Sequence, residues 1–298
     1  MKLFIDNNKI YTSSSQKQAK CFTEYGMKFE IINMFPISKK INIALHIEQL
    51  LLIPCTHITN IWHLMHHLLI TYKYNKKYNI KFVFLIFFPR FYERQGNIIN
   101  STYIELIFKG MGFDFEKYKE ICDIFSKGDA INVKNLHIVN QTMNFHHEPI
   151  INDFKNNILK NFNIARDERK KITFILRRGT REITNLDFVK KELGNIHYIY
   201  MEDLTIEQQL KHIADTDILI GVHGAGLAWC IFMKKNSLLI ELYPGDSNTN
   251  NYIRWCNIAN IRYERISVNI SSGDPLNFRE VKVNLNKEMI RKIHKKFQ

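Results

Sequence analysis

The chain reads as an α/β protein of two doubly wound domains facing a cleft, and three features of the sequence predict this. In the second half, short apolar segments rich in β-branched and aromatic residues alternate with segments of helical spacing, the pattern of a parallel sheet covered on both faces. The length, 298 residues, suits one large domain or two small ones. A helical and charged stretch, NFHHEPIINDFKNNILKNFNIARDERK at 144–170, makes a seam between two halves. The division expected is 1–150 for an N-terminal α/β domain and 151–285 for a C-terminal one, with 286–298 a closing helix.

The first half is the noisier to read. KLFID (2–6), KFEIINM (28–34), KFVFLIFF (81–88) and NLHIVN (135–140) have strand character, and helical candidates lie near 16–25, 43–74 and 101–109. The second half is clearer. KITFILRR (171–178) is a buried strand followed by a polar loop, GTREITN, and LDFVKKEL (186–193) has helical spacing. IHYIYM (196–201) is a strand, after which Thr205 and Gln208 form a capping box that opens a helix running to about Ala214. ILIGV (218–222) is a strand, AGLAWCIFM (225–233) a helix, SLLIELY (237–243) a strand, NNYIRWCNIAN (250–260) a helix and YERISV (263–268) a last strand. The final NKEMIRKIHKKF is an amphipathic helix, placed to cross back onto the first half.

Composition narrows the class. The chain is 45% hydrophobic, enough for a sizeable core, and carries a formal charge of +13, which suits an acidic partner. Lys, Asn and Ile are abundant throughout, so the charge marks no dedicated nucleic-acid surface, and no nucleic-acid motif is present. Five scattered cysteines without a CxxC pair argue against a disulfide framework or zinc site and favour a reducing compartment. MKLFIDNNKI turns polar too soon for a signal peptide, and the longest apolar run, Phe82 to Phe88, is far shorter than a membrane span of roughly 20 residues. A cytoplasmic chain with no membrane span is expected.

The chemistry concentrates in DTDILIGVHGAGLAWCIF, residues 215–232. In a parallel sheet, ligands sit beyond the carboxyl ends of the strands. His223, Gly224, Ala225 and Gly226 therefore lie at the ligand end of the 218–222 strand. Asp215 and Asp217 lie at its other end, roughly 15 Å away at about 3.3 Å per residue, which removes a DxD metal reading and leaves them as turn residues. The two glycines let the backbone turn sharply and approach a ligand, and the helix that follows offers free N–H groups to a diphosphate. FILRRGTR sets Arg177, Arg178 and Arg181 at the carboxyl end of a neighbouring strand, where guanidinium groups suit phosphate oxygens. LLIELYP sets Glu241 at the end of the next, where an acid commonly receives ribose hydroxyls. Trp229 and Trp255, at helical spacing, are core aromatics ahead of sugar-stacking platforms. GVHGAG is not the G-x-G-x-x-G of an NAD site.

With those residues in view, DILIGVHGAGLAWCIFMKKNSLLIELYPGD and the upstream RRGTREITN resemble the family 61 glycosyltransferases. NIWHLMHHLL (60–69) is similar to that family's N-x-x-H-x-x-x-D helix, with His67 in place of the acid. The resemblance implies a GT-B fold, with the acceptor side in the N-terminal Rossmann-like domain and the nucleotide sugar in the C-terminal one. It implies inverting transfer from a UDP-sugar, GlcNAc or xylose, to a hydroxyl of a protein or glycan acceptor. No DxD-bound metal and no cofactor beyond the donor are implied. Carried onto this sequence, Arg177 and Arg181 clamp the diphosphate with Arg178 an alternate, Asn185 fixes their loop, His223 to Gly226 hold the phosphates, and Glu241 holds the ribose. Asn60 and His63 match the acceptor-side helix. His63 is the expected base, with His67 one helical turn further along the same face to share the role or orient it. Two other readings stand beside this one: a non-catalytic nucleotide-sugar-binding protein, motivated by the missing acid, and a basic nucleic-acid-binding protein.

Overall fold

The computed structural model describes residues 2–6, 9–12, 20–22, 28–32, 42–55, 60–87, 103–138, 148–167, 169–245, 251–274, 277 and 280–297. Residues 16–19, 23–25, 33–34, 88, 101–102, 139–140 and 144–147, which carry the ends of expected elements, lie outside them. The chain divides into two compact units, Met1–Asn144 and Phe145–Gln298. No helix among the described residues is long and apolar enough to cross a membrane.

The first unit is built on β1 (Lys2–Asp6), β2 (Lys9–Thr12), β3 (Lys20–Phe22), β4 (Lys28–Ile32), β5 (Ile43–Cys55), α1 (Ile61–Tyr78), β6 (Phe82–Phe87), α2 (Ile104–Met111), α3 (Phe115–Ser126) and β7 (Ala130–Ile138). Its sheet runs in the order β3-β4-β2-β1-β7-β5-β6. Strands β6, β5 and β7 are parallel, whereas β1 pairs antiparallel with β2 and β7, and β3 with β4. The expectation of a doubly wound first half is therefore corrected to a mixed sheet. Only two residues separate β1 from β2, and a parallel pairing needs a crossover of a dozen or more.

Two helical expectations also change. Lys20–Phe22 is a strand, and so is Ile43–Cys55, inside the stretch expected to be helical from 43 to 74. The reason for the second is burial: Leu50, Leu51, Leu52 and Ile53 are each no more than 1% exposed, because β5 has parallel neighbours on both sides and both its faces are covered. A strand buried this way shows a continuous apolar run rather than alternation, and a run of leucines is read as helix. The helix proper begins after Asn60, whose carbonyl accepts from the Leu64 N–H at 3.0 Å. It packs Ile61, Leu64, Met65, Leu68 and Leu69 inward, carries Lys76 and Lys77 in its last turn, and stops at Asn79, which takes a left-handed φ of 50°.

The second unit follows the expected order closely. It comprises α4 (Glu148–Asn161), β8 (Ile172–Leu176), α5 (Leu186–Leu193), β9 (His197–Tyr200), α6 (Ile206–Ala214), β10 (Ile218–Val222), β11 (Leu238–Pro244), α7 (Asn251–Ala259), β12 (Arg262–Ser272), β13 (Lys282–Asn284) and α8 (Lys287–His294). The Thr205–Gln208 capping box is formed in both directions. Strands β12, β11, β10, β8 and β9 lie side by side in that order, all parallel, and β13 adds an antiparallel edge. Strand order thus reverses between β8 and β10, which opens a crevice at their carboxyl ends.

Alternation along the strands builds two apolar layers. Phe174, Leu176, Ile218, Ile220, Val222, Leu238, Ile240 and Leu242 meet Val189 and Leu193 of α5 and Ile290 and Ile293 of α8. The last helix is thereby corrected: its apolar stripe fills the core of its own unit, and His294 bonds the Glu192 carbonyl at 2.8 Å. The other layer holds Trp229, Phe232 and Trp255, all fully buried, so the two tryptophans are core rather than sugar platforms.

A second correction bears on the site. Residues Ala225–Phe232 form a 3-10 helix rather than an α-helix. It lies within the connection that returns from the carboxyl end of β10 at Val222 to the amino end of β11 at Leu238. Leu227 of this helix packs so close to β10 that a Cβ on Gly221 would lie 2.8 Å from its Cδ2.

At the far end of the 3-10 helix, Lys155 of α4, only 2% exposed, donates to the Met233 carbonyl at 2.8 Å, a cation at the negative end of the helix dipole. Burial pushes its ammonium down from the ordinary 10.5 to about 8, with Arg166 and Lys235 adding to the fall. The unfolded chain therefore binds the proton more tightly, and below pH 8 the buried charge weighs against folding by on the order of 3 kcal/mol. Urea unfolding of the wild type and of Lys155→Met from pH 7 to pH 10 is expected to show wild-type stability rising relative to the variant as pH climbs above about 8.

Candidate functional site

The crevice at the strand-order reversal is lined by the residues that follow β8 and β10. Arg177 leaves β8 and is held by Thr180, through Nε to the carbonyl at 3.1 Å and Nη2 to Oγ1 at 3.2 Å. Burial pushes its guanidinium below the ordinary arginine value, with Tyr252 and Glu202 opposing. Among the described residues no carboxylate stands within ion-pair distance of it. A mostly buried cation without a carboxylate in ion-pair distance among the described residues is costly to hold and suits an anion from outside.

Arg177 lies directly over the glycine corner. A Cβ on Gly224 would sit 2.0 Å from Nη1 and 2.9 Å from Cζ, so no side chain fits there while the guanidinium stays in place. The backbone of Gly224 is extended, so glycine is required by close approach rather than by its dihedral angles. A Cβ on Gly226 would make only an ordinary contact with Ile175, and Ala225 opens the 3-10 helix between the two. Tyr252, 2% exposed on α7, fixes the corner from below by donating to the Gly224 carbonyl at 2.6 Å. Burial pushes its phenol well up, Glu241 adds to this, and the charges of Arg181 and Arg177 oppose it.

The other expected residues separate into two groups. Arg181 sits in a left-handed backbone conformation at φ 57°, its N–H donates to the Val281 carbonyl at 2.6 Å, and its charge reaches Tyr252 beside Arg177. Asn185 ties the end of the loop to Leu285, donating to its carbonyl at 2.8 Å and accepting from its N–H at 3.2 Å. Arg178, by contrast, turns away: it makes a two-bond pair with Asp203 at 2.8 and 2.7 Å, contacts Glu202 and stacks over Tyr200. Its role as an alternate phosphate ligand is corrected to a surface tie, because its donors already face carboxylates.

Glu241 is the largest correction. The sequence places it at a strand end as a ribose acceptor, yet it is 1% exposed and both oxygens are engaged by side chains. Oε1 bonds His223 Nδ1 and Oε2 accepts from the Tyr263 hydroxyl. Burial and the bond to Glu241 push the Tyr263 phenol up, so it stays a donor. His223 keeps 14% of its side chain exposed and meets Tyr243 and Tyr252 edge-on, at centroid distances of 4.9 and 5.6 Å. Arg265 stacks over Tyr243 at 3.8 Å. Sequence reasoning missed Tyr252, Tyr263 and Arg265, placing them only in a helix and in the strand that follows it. The signal was the alternation in YER, which puts Tyr263 and Arg265 on the face of Leu239 and Glu241, their register partners.

At the amino end of β10 the two aspartates do local work. Asp215 accepts from the Asp167 N–H at 2.8 Å and Asp217 from the Lys171 N–H at 2.9 Å. In the first unit, His63 is half-buried near the start of α1, and His67, one turn on, is 7% exposed.

A family model, Glycosyltransferase 61, matches residues 45–240, from β5 to β11, and so spans most of the described elements. Among curated relatives, Alpha-1,3-arabinosyltransferase XAT2 of Oryza sativa subsp. japonica is 29% identical over 34% of this chain and 19% of its own length. EGF domain-specific O-linked N-acetylglucosamine transferase of Drosophila melanogaster is 30% identical over 32% of this chain and 19% of its own. Xylan glycosyltransferase MUCI21 of Arabidopsis thaliana is 30% identical over 26% and 17%. The aligned region is about a fifth of the length of these relatives.

The buried hydrogen bond beneath the glycine corner gives a direct test. Tyr252→Phe is expected to lower stability by about 1 kcal/mol in urea unfolding while leaving the far-ultraviolet spectrum unchanged.

Proposed function

The chain belongs to the glycosyltransferase 61 family, and from that premise we propose that its second unit holds the diphosphate of a nucleotide sugar in the crevice between β8 and β10. The observation that carries this reading is the Arg177 guanidinium, mostly buried, without a carboxylate partner among the described residues, and laid against Gly224 where strand order reverses. Arg177 and Arg181 then neutralise the phosphates, and the corner from His223 to Gly226 supplies the close backbone approach.

In this reading the reaction is an inverting transfer of a sugar from a UDP-sugar, GlcNAc or xylose, to a hydroxyl of a protein or glycan, without a DxD-bound metal or other cofactor. The relatives' names point to arabinose, xylan and N-acetylglucosamine chemistry, a range that agrees with a shared diphosphate site and a variable sugar pocket. The GT-B arrangement belongs to the same proposal, with the first unit on the acceptor side. The charge that develops on the departing diphosphate is met by the arginines, preorganised before the reaction by Thr180 and Gly224. His63, on α1 and partly exposed, is the base proposed for the acceptor hydroxyl. His67 is too buried to exchange protons with an acceptor, so its part is to support the helix face. That burial, at the position where the family pattern has an acid, also favours the second reading, a nucleotide-sugar-binding protein without transfer activity.

Calorimetric titration with UDP tests the site. Arg177→Ala is expected to weaken binding by about 10- to 100-fold, the value of a charge-assisted hydrogen bond. Gly224→Ala is expected to do the same by displacing the guanidinium, and unchanged affinity in both would remove the site from this crevice. His63→Ala is expected to leave UDP affinity intact and lower sugar transfer by about 10²- to 10⁴-fold. Transfer equal in variant and wild type removes His63 as the base, and UDP binding by the wild type with neither transfer nor hydrolysis favours the non-catalytic reading.

A further inference from the structure

The loop that carries both arginines is held by a stretch of chain outside residues 45–240, the part that the family model matches. Residues 179–181 make a turn with two left-handed positions, Gly179 at φ 72° and Arg181 at φ 57°. Glycine adopts that conformation freely, whereas an arginine does so only where other contacts hold it. Those contacts come from Val281–Leu285, the stretch that contains β13. The Arg181 N–H donates to the Val281 carbonyl at 2.6 Å, the Val283 N–H to the Glu182 carbonyl at 2.9 Å, and the Thr184 N–H to the Val283 carbonyl at 2.8 Å. Ile183 thereby forms a parallel bridge to Val283, and Asn185 closes the run with its two bonds to Leu285. The stretch is itself firmly seated: Val281, Val283 and Leu285 are buried, and β13 pairs with β12 between Asn269 and Ser272.

One peptide joins this clamp to Arg177. The N–H that bonds Val281 and the carbonyl that accepts from Arg177 Nε at 3.1 Å belong to the same peptide, between Thr180 and Arg181. A peptide is planar and its N–H and C=O point opposite ways, so fixing the N–H also fixes the direction of the carbonyl. The Thr180 hydroxyl adds its bond from Arg177 Nη2 at 3.2 Å.

We infer that Val281–Leu285 is the positioning element for both arginines, and that it sets the diphosphate affinity of the crevice through the Thr180–Arg181 peptide rather than through the ligand. The inference rests on the nucleotide reading above and adds the part of the fold that readies the guanidinium groups before the anion arrives. A long side chain loses much rotamer freedom when it is fixed, and a clamp that takes this loss during folding leaves less to be lost on binding. By reciprocity, a bound diphosphate steadies the clamp in turn.

Two substitutions loosen the clamp, and all measurements are on the full chain. Asn185→Ala removes both bonds to Leu285. Thr184→Val is milder: it keeps the backbone bonds and removes the hydroxyl that contacts the Val283 carbonyl and the Ser271 hydroxyl, each at 3.2 Å. In the free protein, magnetic resonance follows exchange of the Arg177 Nε–H with water, with Arg177→Lys to assign the signal. Exchange is expected to quicken by about 10-fold in Asn185→Ala and by about 3-fold in Thr184→Val, the value of one or two ordinary hydrogen bonds. Thr184→Ser, which retains the hydroxyl, is expected to restore the wild-type rate. UDP affinity is expected to fall by similar factors, and saturating UDP to slow amide exchange at Arg181 and Val283. In an Arg177→Ala background, Asn185→Ala is expected to cost less UDP affinity than it does alone, because part of what it disturbs is already gone. Wild-type exchange at Arg177 in both variants, or losses of UDP affinity that add in full, overturn the inference. Faster exchange in the variants, with no UDP binding by the wild type, keeps the positioning of Arg177 and removes the nucleotide reading instead.

Discussion

A guanidinium lies where a glycine has no side chain, and much of the second unit is arranged around that contact. Arg177 follows β8, Gly224 follows β10, and the reversal of strand order between them leaves the space that both enter. Neither element would place a charge there by its own local preference. The arginine is mostly withdrawn from water, bonds Thr180 with no carboxylate in ion-pair distance among the described residues, and lies where a Cβ on Gly224 would displace it. A protein holds such a cation at the expense of stability, and a ligand that brings negative charge removes the penalty.

The corner is held from three directions. Tyr252 grips the Gly224 carbonyl from α7, and Leu227 presses onto Gly221 of the strand before it. At the far end of the 3-10 helix between β10 and β11, Lys155 accepts a lowered proton affinity to bond the Met233 carbonyl. Lys155 comes from α4, the first helix of the second unit, so that helix also supports the 3-10 segment. Beside the corner, His223, which follows β10, is backed by Glu241 of β11 and Tyr263 of β12. The chain belongs to the glycosyltransferase 61 family, and the nucleotide-sugar site proposed for it lies in this crevice.

The first unit shows a different relation between pattern and structure. Its parallel core, β5 with β6 and β7, is as well buried as anything in the second unit, yet β5 reads as helix from its leucines. The misreading is physical. A strand covered on both faces loses the alternation that identifies strands, and nothing in IALHIEQLLLIPC other than its β-branched residues and its proline resists a helix. In the second unit β8, β9 and β10 are short and the start of α6 is marked by its capping box, so those boundaries follow from local chemistry.

By itself the sequence determined the alternation of the second unit, the glycine corner at the ligand end of β10, and the family to which both belong, because each is written in residues close together along the chain. Tertiary structure decided what the charged residues do. Arg177 and Arg178 are neighbours in the sequence, yet one faces Gly224 and the other Asp203, since successive residues leaving a strand point opposite ways and meet different partners. Glu241 reads as a ligand group at a strand end, and the neighbouring strand alone brings up Tyr263 to bury it behind His223. Charge can be read from a sequence, but whether that charge meets solvent, a ligand or another side chain is settled by the register of strands far apart in the chain.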